Sequence, residues 1–151
     1  MQQVEKPIAD FLDERPAILV AADASVAHAI ELMRAEQSSC VLVMENEVLA
    51  GIFTERDFLN RVVAARRLPA ETKICEVMTP DPKTLRAQDN VSYAIERMAS
   101  RGFRHIPIID DDSPAAVLTV WKVMTHLSGM LAEVAEVNAA VVDEWTDIGG
   151  G

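Results

Sequence analysis

The feature that most restricts how this chain can fold is an internal duplication. Displaced by 65 residues, the two halves align without a gap: Ala22, Val26, Ala29, Ile30, Glu31, Met33 and Thr54 fall on Ala87, Val91, Ala94, Ile95, Glu96, Met98 and Thr119. Few residues are identical between the halves, yet the apolar positions keep one phase, as a shared packing requirement would maintain. Self-similarity at such a period marks two copies of one supersecondary unit. Each half, at roughly sixty residues, would bury little core alone. Two halves related by a pseudo-twofold axis can pack sheet against sheet, and the duplication then creates equivalent clefts between them, a common place for ligands.

Each half is read in the same order: strand, helix, strand, strand, helix. Ile18-Leu19-Val20 and Lys83-Thr84-Leu85 are short extended pieces. Ser25 and Asn90 are good N-cap residues before the stripes Val26, Ala29, Ile30, Met33 and Val91, Ala94, Ile95, Met98, whose steps of three and four are those of an amphipathic helix. Apolar runs at Cys40–Met44 and His105–Ile109 follow as strands. Polar turns at Glu45–Glu47 and Asp110–Pro114 lead to second strands at Val48–Phe53 and Ala115–Leu118. Further helices begin near Glu55 and Val120. Pro69 makes a continuous helix between the halves untenable. The expected organisation is a first repeat with its lead-in over 1–66, a linker over 67–74, a second repeat over 75–128, and a C-terminal helix with a mobile tail over 129–151. In that last part Leu131, Val134, Val141 and Trp145 extend a stripe from Met124 and Leu127, broken by Asn138. A helix folded back on the module and a dimer contact both satisfy it, and Gly149-Gly150-Gly151 should be mobile.

Half of the residues are hydrophobic and a quarter charged, an ordinary globular balance. Cys40 sits within an apolar run and reads as a small buried hydrophobe, while Cys75 has no Cys or His at metal-ligand spacing. The start, Met1 to Pro7, lacks a basic stretch followed by an apolar one, so no signal peptide is expected. No apolar run approaches the ~18–20 residues that cross a bilayer. The cytoplasm is the expected compartment. A net charge of −10 opposes attraction to nucleic acid or anionic membrane, though it leaves room for a local basic pocket.

The segment Gly51-Ile52-Phe53-Thr54-Glu55-Arg56-Asp57 carries the most chemistry. Gly51 lets another backbone or a flat ligand approach closely. Thr54 stands at a strand-to-helix junction with Asp57 three residues on, which places a hydroxyl, free amides and a carboxylate together. A carboxylate suits a ribose diol, and the amides and Arg56 suit phosphate. By itself Thr-x-x-Asp before an apolar helix is a capping box; Gly51, the duplication and the matching Thr119 are what raise it to a candidate site.

Val77-Met78-Thr79-Pro80, Phe103-Arg104-His105-Ile106-Pro107-Ile108-Ile109-Asp110 and the Gly51–Asp57 segment together resemble the cystathionine-β-synthase (CBS) pair, or Bateman module, from about Ile8 to Leu127. The resemblance implies an α+β fold of two tandem CBS repeats and a non-catalytic regulatory sensor of an adenosine-containing ligand, whether AMP, ADP, ATP, NAD(H) or S-adenosylmethionine. It implies Pro16 and Ile18 beside adenine, Ser38 and Ser39 on the slot's other wall, Thr54 and Asp57 at the ribose, and Arg56, Arg104 and His105 near phosphate. It also implies a homodimer. The second repeat departs from the pattern, with Ala116 for the glycine and Lys122 for the ribose-binding Asp. Lysine cannot accept a hydrogen bond from a diol. A degenerate second site around Thr79, Thr119 and Lys122 is therefore expected to be empty or to hold a phosphate, leaving one competent site per chain.

The alternative is a ligand-free module for dimerisation or protein interaction, with the regulated partner unnamed. No nucleophile is paired with an evident base, so neither catalysis nor a catalytic cofactor is expected. His28, His105 and His126 lack ligand-like spacing for a metal, and Asp110-Asp111-Asp112 lacks the rest of a calcium loop.

Overall fold

The computed structural model describes residues 5–148, with side chains through residue 139. The expected mobility of Gly149–Gly151 and the side chains of Val141 and Trp145 lie outside the described residues. The first repeat contains β1 (Leu19–Ala21), α1 (Val26–Ala35), β2 (Cys40–Glu45), β3 (Val48–Thr54) and the short α2 (Glu55–Asp57). A two-residue strand, β4 (Thr79–Pro80), leads into the second repeat: β5 (Leu85–Arg86), α3 (Val91–Arg101), β6 (His105–Asp110), β7 (Ser113–Thr119) and α4 (Val120–Ile148). The sheets run β1-β2-β3-β4 and β5-β6-β7, each with a parallel first pair and an antiparallel hairpin.

Local chemistry accounts for the elements. Ser25 Oγ accepts the amide of His28, and Asn90 Oδ1 accepts that of Ser92, so both helices start at side-chain caps. Val26, Ala29 and Met33 are buried on α1, and Val91 and Ala94 on α3. Helix α3 stops at Gly102 with φ 71, and the matching place after α1 is taken by Gln37 with φ 51, in a region that glycine occupies more easily. Both hairpins turn in two residues, Asn46-Glu47 and Asp111-Asp112, all with positive φ. The second turn is tighter than the expected Asp110–Pro114, so Ser113 and Pro114 already belong to β7. Pro114 is accommodated because β7 is an edge strand and the register shifts beside its partner Ile109. The helix expected near Glu55 widens after Asp57 into π geometry over Phe58–Val63.

The repeats are interlocked rather than merely adjacent. Ile8 and Phe11, in the lead-in to the first repeat, are buried in the second repeat's core with Leu85, Val91, Ile106 and Leu118. Conversely Ile74 and Val77, just before the second repeat, are buried in the first repeat's core with Val26, Val43 and Phe53. Main-chain bonds repeat the exchange: Val91 N donates to Lys6 O and Ala9 N to Ala87 O, while Val26 N donates to Thr72 O and Cys75 N to Ala22 O. A third cluster, Cys40, Leu42, Ile52 and Val117, lies between the sheets. Helix α4 does not fold back on the module. It continues as one helix through Asn138, and residues 131–139 are all exposed.

Candidate functional site

The Thr54–Asp57 junction forms as a reciprocal cap. Thr54 Oγ1 accepts the amide of Asp57 at 3.2 Å, and Asp57 Oδ2 accepts the amide of Thr54 at 3.0 Å and its hydroxyl at 3.2 Å. The other carboxylate oxygen, Oδ1, accepts the hydroxyl of Thr79 at 3.0 Å and lies 3.6 Å from Arg61 Nε. Asp57 is thus a buried carboxylate, 7% exposed, with both oxygens already in use. Thr79, expected beside Lys122, belongs to this cluster instead. Gly51 admits β4: a Cβ there would lie 2.8 Å from Thr79 O and closer still to the Met78 thioether.

The second repeat repeats the cap with inverted charge. Thr119 Oγ1 accepts the amide of Lys122 at 3.1 Å, and Lys122 Nζ donates to Val117 O at 2.9 Å and pairs with Asp13 at 3.3 Å. Asp13 stands before the first repeat much as Thr79 stands before the second, so each cap is latched to the segment that the other half lends it.

A cavity of about 1170 Å³ opens between the repeats. Pro16, Ile18, Ser38 and Ser39 line it from the first repeat, and Arg104, His105, Thr119 and Lys122 from the second. Thr54, Arg56 and Asp57 are not among its lining residues, although Glu55 and Phe58 are. The structure therefore sorts the expected site residues into two groups. The adenine-wall positions of the first repeat share the cavity with Thr119 and Lys122 of the second, while their own Thr54–Asp57 turn contributes Glu55 alone. Sequence reading also passed over Asp13, Arg15 and Arg34, which line the cavity too. The available signal was Thr119–Lys122 itself, a second capping turn at the same place in the repeat.

A CBS-domain family model matches residues 8–64 and 74–129. The chain belongs to the CBS-domain family. Its CBS repeats are 35% identical over 127 residues to the Meiotically up-regulated gene 70 protein of Schizosaccharomyces pombe, covering 83% of this chain and 17% of that protein. They are 32% identical over 121 residues to CBSCBSPB3 of Arabidopsis thaliana, covering 80% of this chain and 22% of that one. The chain thus spans about a fifth of the length of these two curated relatives. The fold matches that of CBSX2 in a complex with AMP, with a TM-score of 0.67, 21% identity, and coverage of 82% of this chain and 97% of that one. Among the described residues, no helix of the CBS pair is long and apolar enough to cross a membrane.

Two titratable groups of the CBS pair sit at this cavity with shifted equilibria. Burial pushes the Cys40 thiol up to about 12, which makes it an inert part of the wall. Burial, then the charge of Arg104, holds His105 below the ordinary histidine value of 6.5 against the opposing pull of Asp57. His105 Nε2 and Ser39 Oγ lie 2.7 Å apart, a hydrogen bond that joins the two repeats. Because the folded protein binds this proton less readily than the unfolded chain, the stability tied to neutral His105 is complete above pH 6.5 and declines as pH falls below it. Urea unfolding at pH 7.5 and 5.5 should show wild type losing up to about 1.4 kcal/mol more than His105→Gln over this interval. Equal losses in the two proteins would refute the assignment.

Proposed function

We propose that this CBS pair is a non-catalytic sensor that takes an adenosine-containing anion into the cavity shared by its repeats. The observation that carries the reading is the cavity's composition: walls from both repeats, with Arg15, Arg34, Arg104 and Lys122 set against the carboxylates Asp13, Glu36 and Glu55, a small excess of cations in a chain whose net charge is −10. Pro16, Ala17 and Ile18 offer an apolar face for a purine, and the cations offer charge-assisted hydrogen bonds to phosphate. AMP in the structurally similar CBSX2 supports a nucleotide as the ligand class. Thr119, with its hydroxyl at the turn, is the candidate ribose contact, while Asp57 serves the cap network.

Lys122 supplies the output. It is held by Asp13, and an arriving phosphate competes for the same ammonium. Loosening Asp13 would disturb the adjoining Ile8–Phe11 turn, whose Phe11 ring lies 4.5 Å from the ring of His126 on α4. Binding is thereby relayed to the lead-in and to the C-terminal helix.

Calorimetric titration with AMP, ADP, ATP, NAD(H) and S-adenosylmethionine tests this on the full chain. We expect one site per chain, at least tenfold weaker in Lys122→Met and tighter in Asp13→Asn, where the internal competitor loses its charge. Binding indifferent to Lys122→Met would move the site elsewhere. No binding by any of these ligands would favour a ligand-free dimerisation or interaction module.

A further inference from the structure

Helix α4 leaves the body of the protein with an apolar face uncovered. Val123 is buried and Leu127 packs on the second repeat's core, but Met124, Leu131, Val134 and Val137 are 55%, 69%, 55% and 63% exposed. A lone projecting helix has little to stabilise it in water, and an exposed apolar stripe marks an interface. The spacing says which kind. Met124, Leu127, Leu131, Val134 and Asn138 step alternately by three and four, and the sequence carries the rhythm on to Val141, Trp145 and Ile148. Met124, Leu131, Asn138 and Trp145 take position a of a heptad, and Leu127, Val134, Val141 and Ile148 take position d. This 3.5-residue period is that of helices that wrap around a like partner.

We propose that α4 pairs with α4 of a second copy of this chain as a parallel, in-register coiled coil. Asn138 selects the partner and the direction. In a parallel pair it meets the partner copy's own Asn138, and the two amides satisfy each other. In an antiparallel pair it would be buried against an apolar d side chain with its hydrogen bonds unmade. Charge agrees with self-pairing even though this helix is acidic and has no Lys or Arg after Lys122. Glu133, Glu136, Asp143 and Asp147 fall at positions c and f, away from the seam. The flanking e and g positions carry Met130, Ala135, Val137 and Val142; Glu144 is the exception, and the next e position is Gly149. Trp121, at position e and 74% exposed, flanks the base of the seam, where a parallel pair brings the two bodies together.

Light scattering and sedimentation of the full chain test the proposal, together with an engineered cross-link. The Leu131→Glu, Val134→Glu double variant should halve the assembly mass at micromolar concentration. Asn138→Leu should remain associated but lose its single defined state. In a Cys75→Ser background, Met124→Cys should oxidise to a covalent dimer, since a parallel pair sets these positions side by side. An antiparallel pair over residues 124–148 would hold them about 36 Å apart. A monomeric wild type, a mass unmoved by the glutamates, or no cross-link at position 124 would each overturn the proposal.

Discussion

Asp57→Ala is expected to lower the unfolding free energy by about 3 kcal/mol, or the melting temperature by roughly 6–12 °C. The carboxylate is buried and accepts the Thr54 amide, the Thr54 hydroxyl and the Thr79 hydroxyl, with Arg61 beside it. Alanine leaves these donors without a partner, and hydrogen bonds to a charged acceptor each contribute about 1.5–3 kcal/mol, though not additively. Part of the loss is the cap itself, worth about 1 kcal/mol. Asp57→Asn keeps one acceptor oxygen and should lose about half as much. A urea titration placing Asp57→Ala within about 0.5 kcal/mol of wild type would contradict the structural role given to this carboxylate. Loss of ligand response in Asp57→Ala alone is consequently ambiguous, and for that reason Lys122 and Asp13 are the informative substitutions at the cavity.

Gly51→Ala should cost about 2 kcal/mol, and it tests the approach of β4 to β3. Here a side chain meets main chain: the added Cβ would lie 2.8 Å from Thr79 O, where Pro80 pairs with Gly51 and Asp81 N donates to Ala50 O at 3.1 Å. The Met78 side chain is also in the way but can rotate. Removing it in Gly51→Ala, Met78→Ala should leave the penalty in place, because the carbonyl stays. Recovery relative to Met78→Ala alone would assign the obstruction to the thioether. At the matching place in the second repeat, Ala116, the leading segment is held by the single bond from Ala17 N to Ala115 O at 3.1 Å, and no fourth strand is formed among the described residues.

Much of this architecture was legible because it is local or periodic. The duplication is a repeat at a fixed displacement of 65 residues, and the caps at Ser25 and Asn90 and the stripes on α1 and α3 depend on residues within one or two turns of each other. The Thr54–Asp57 cap was legible for the same reason. What escaped depends on how the halves interlock. Thr79 reaching Asp57, and Asp13 reaching Lys122 across most of the chain, follow from each half lending its leading segment to the other, and no spacing within one repeat encodes that. The pairing of Pro16 and Ser38 with the Thr119–Lys122 turn is likewise set by the pseudo-twofold axis. The family resemblance implies the Thr54–Asp57 turn of the same repeat instead. The glycine at position 51 was read for closeness of approach, and the strand that approaches became visible only in three dimensions.

The exchange of leading segments also governs how the chain can mature during synthesis. The first repeat cannot close its core until Ile74 and Val77 have left the ribosome, well after β3 is complete. Ile8 and Phe11, made before either repeat's sheet, have no place to dock until α3 and the β6–β7 hairpin exist. They must remain undocked while the first repeat and most of the second are translated. The first repeat can therefore close once Val77 has emerged, while the second must recover Ile8 and Phe11 from far back in the chain, and a nascent chain halted before Ile74 would present an open groove that its own leading segment cannot fill.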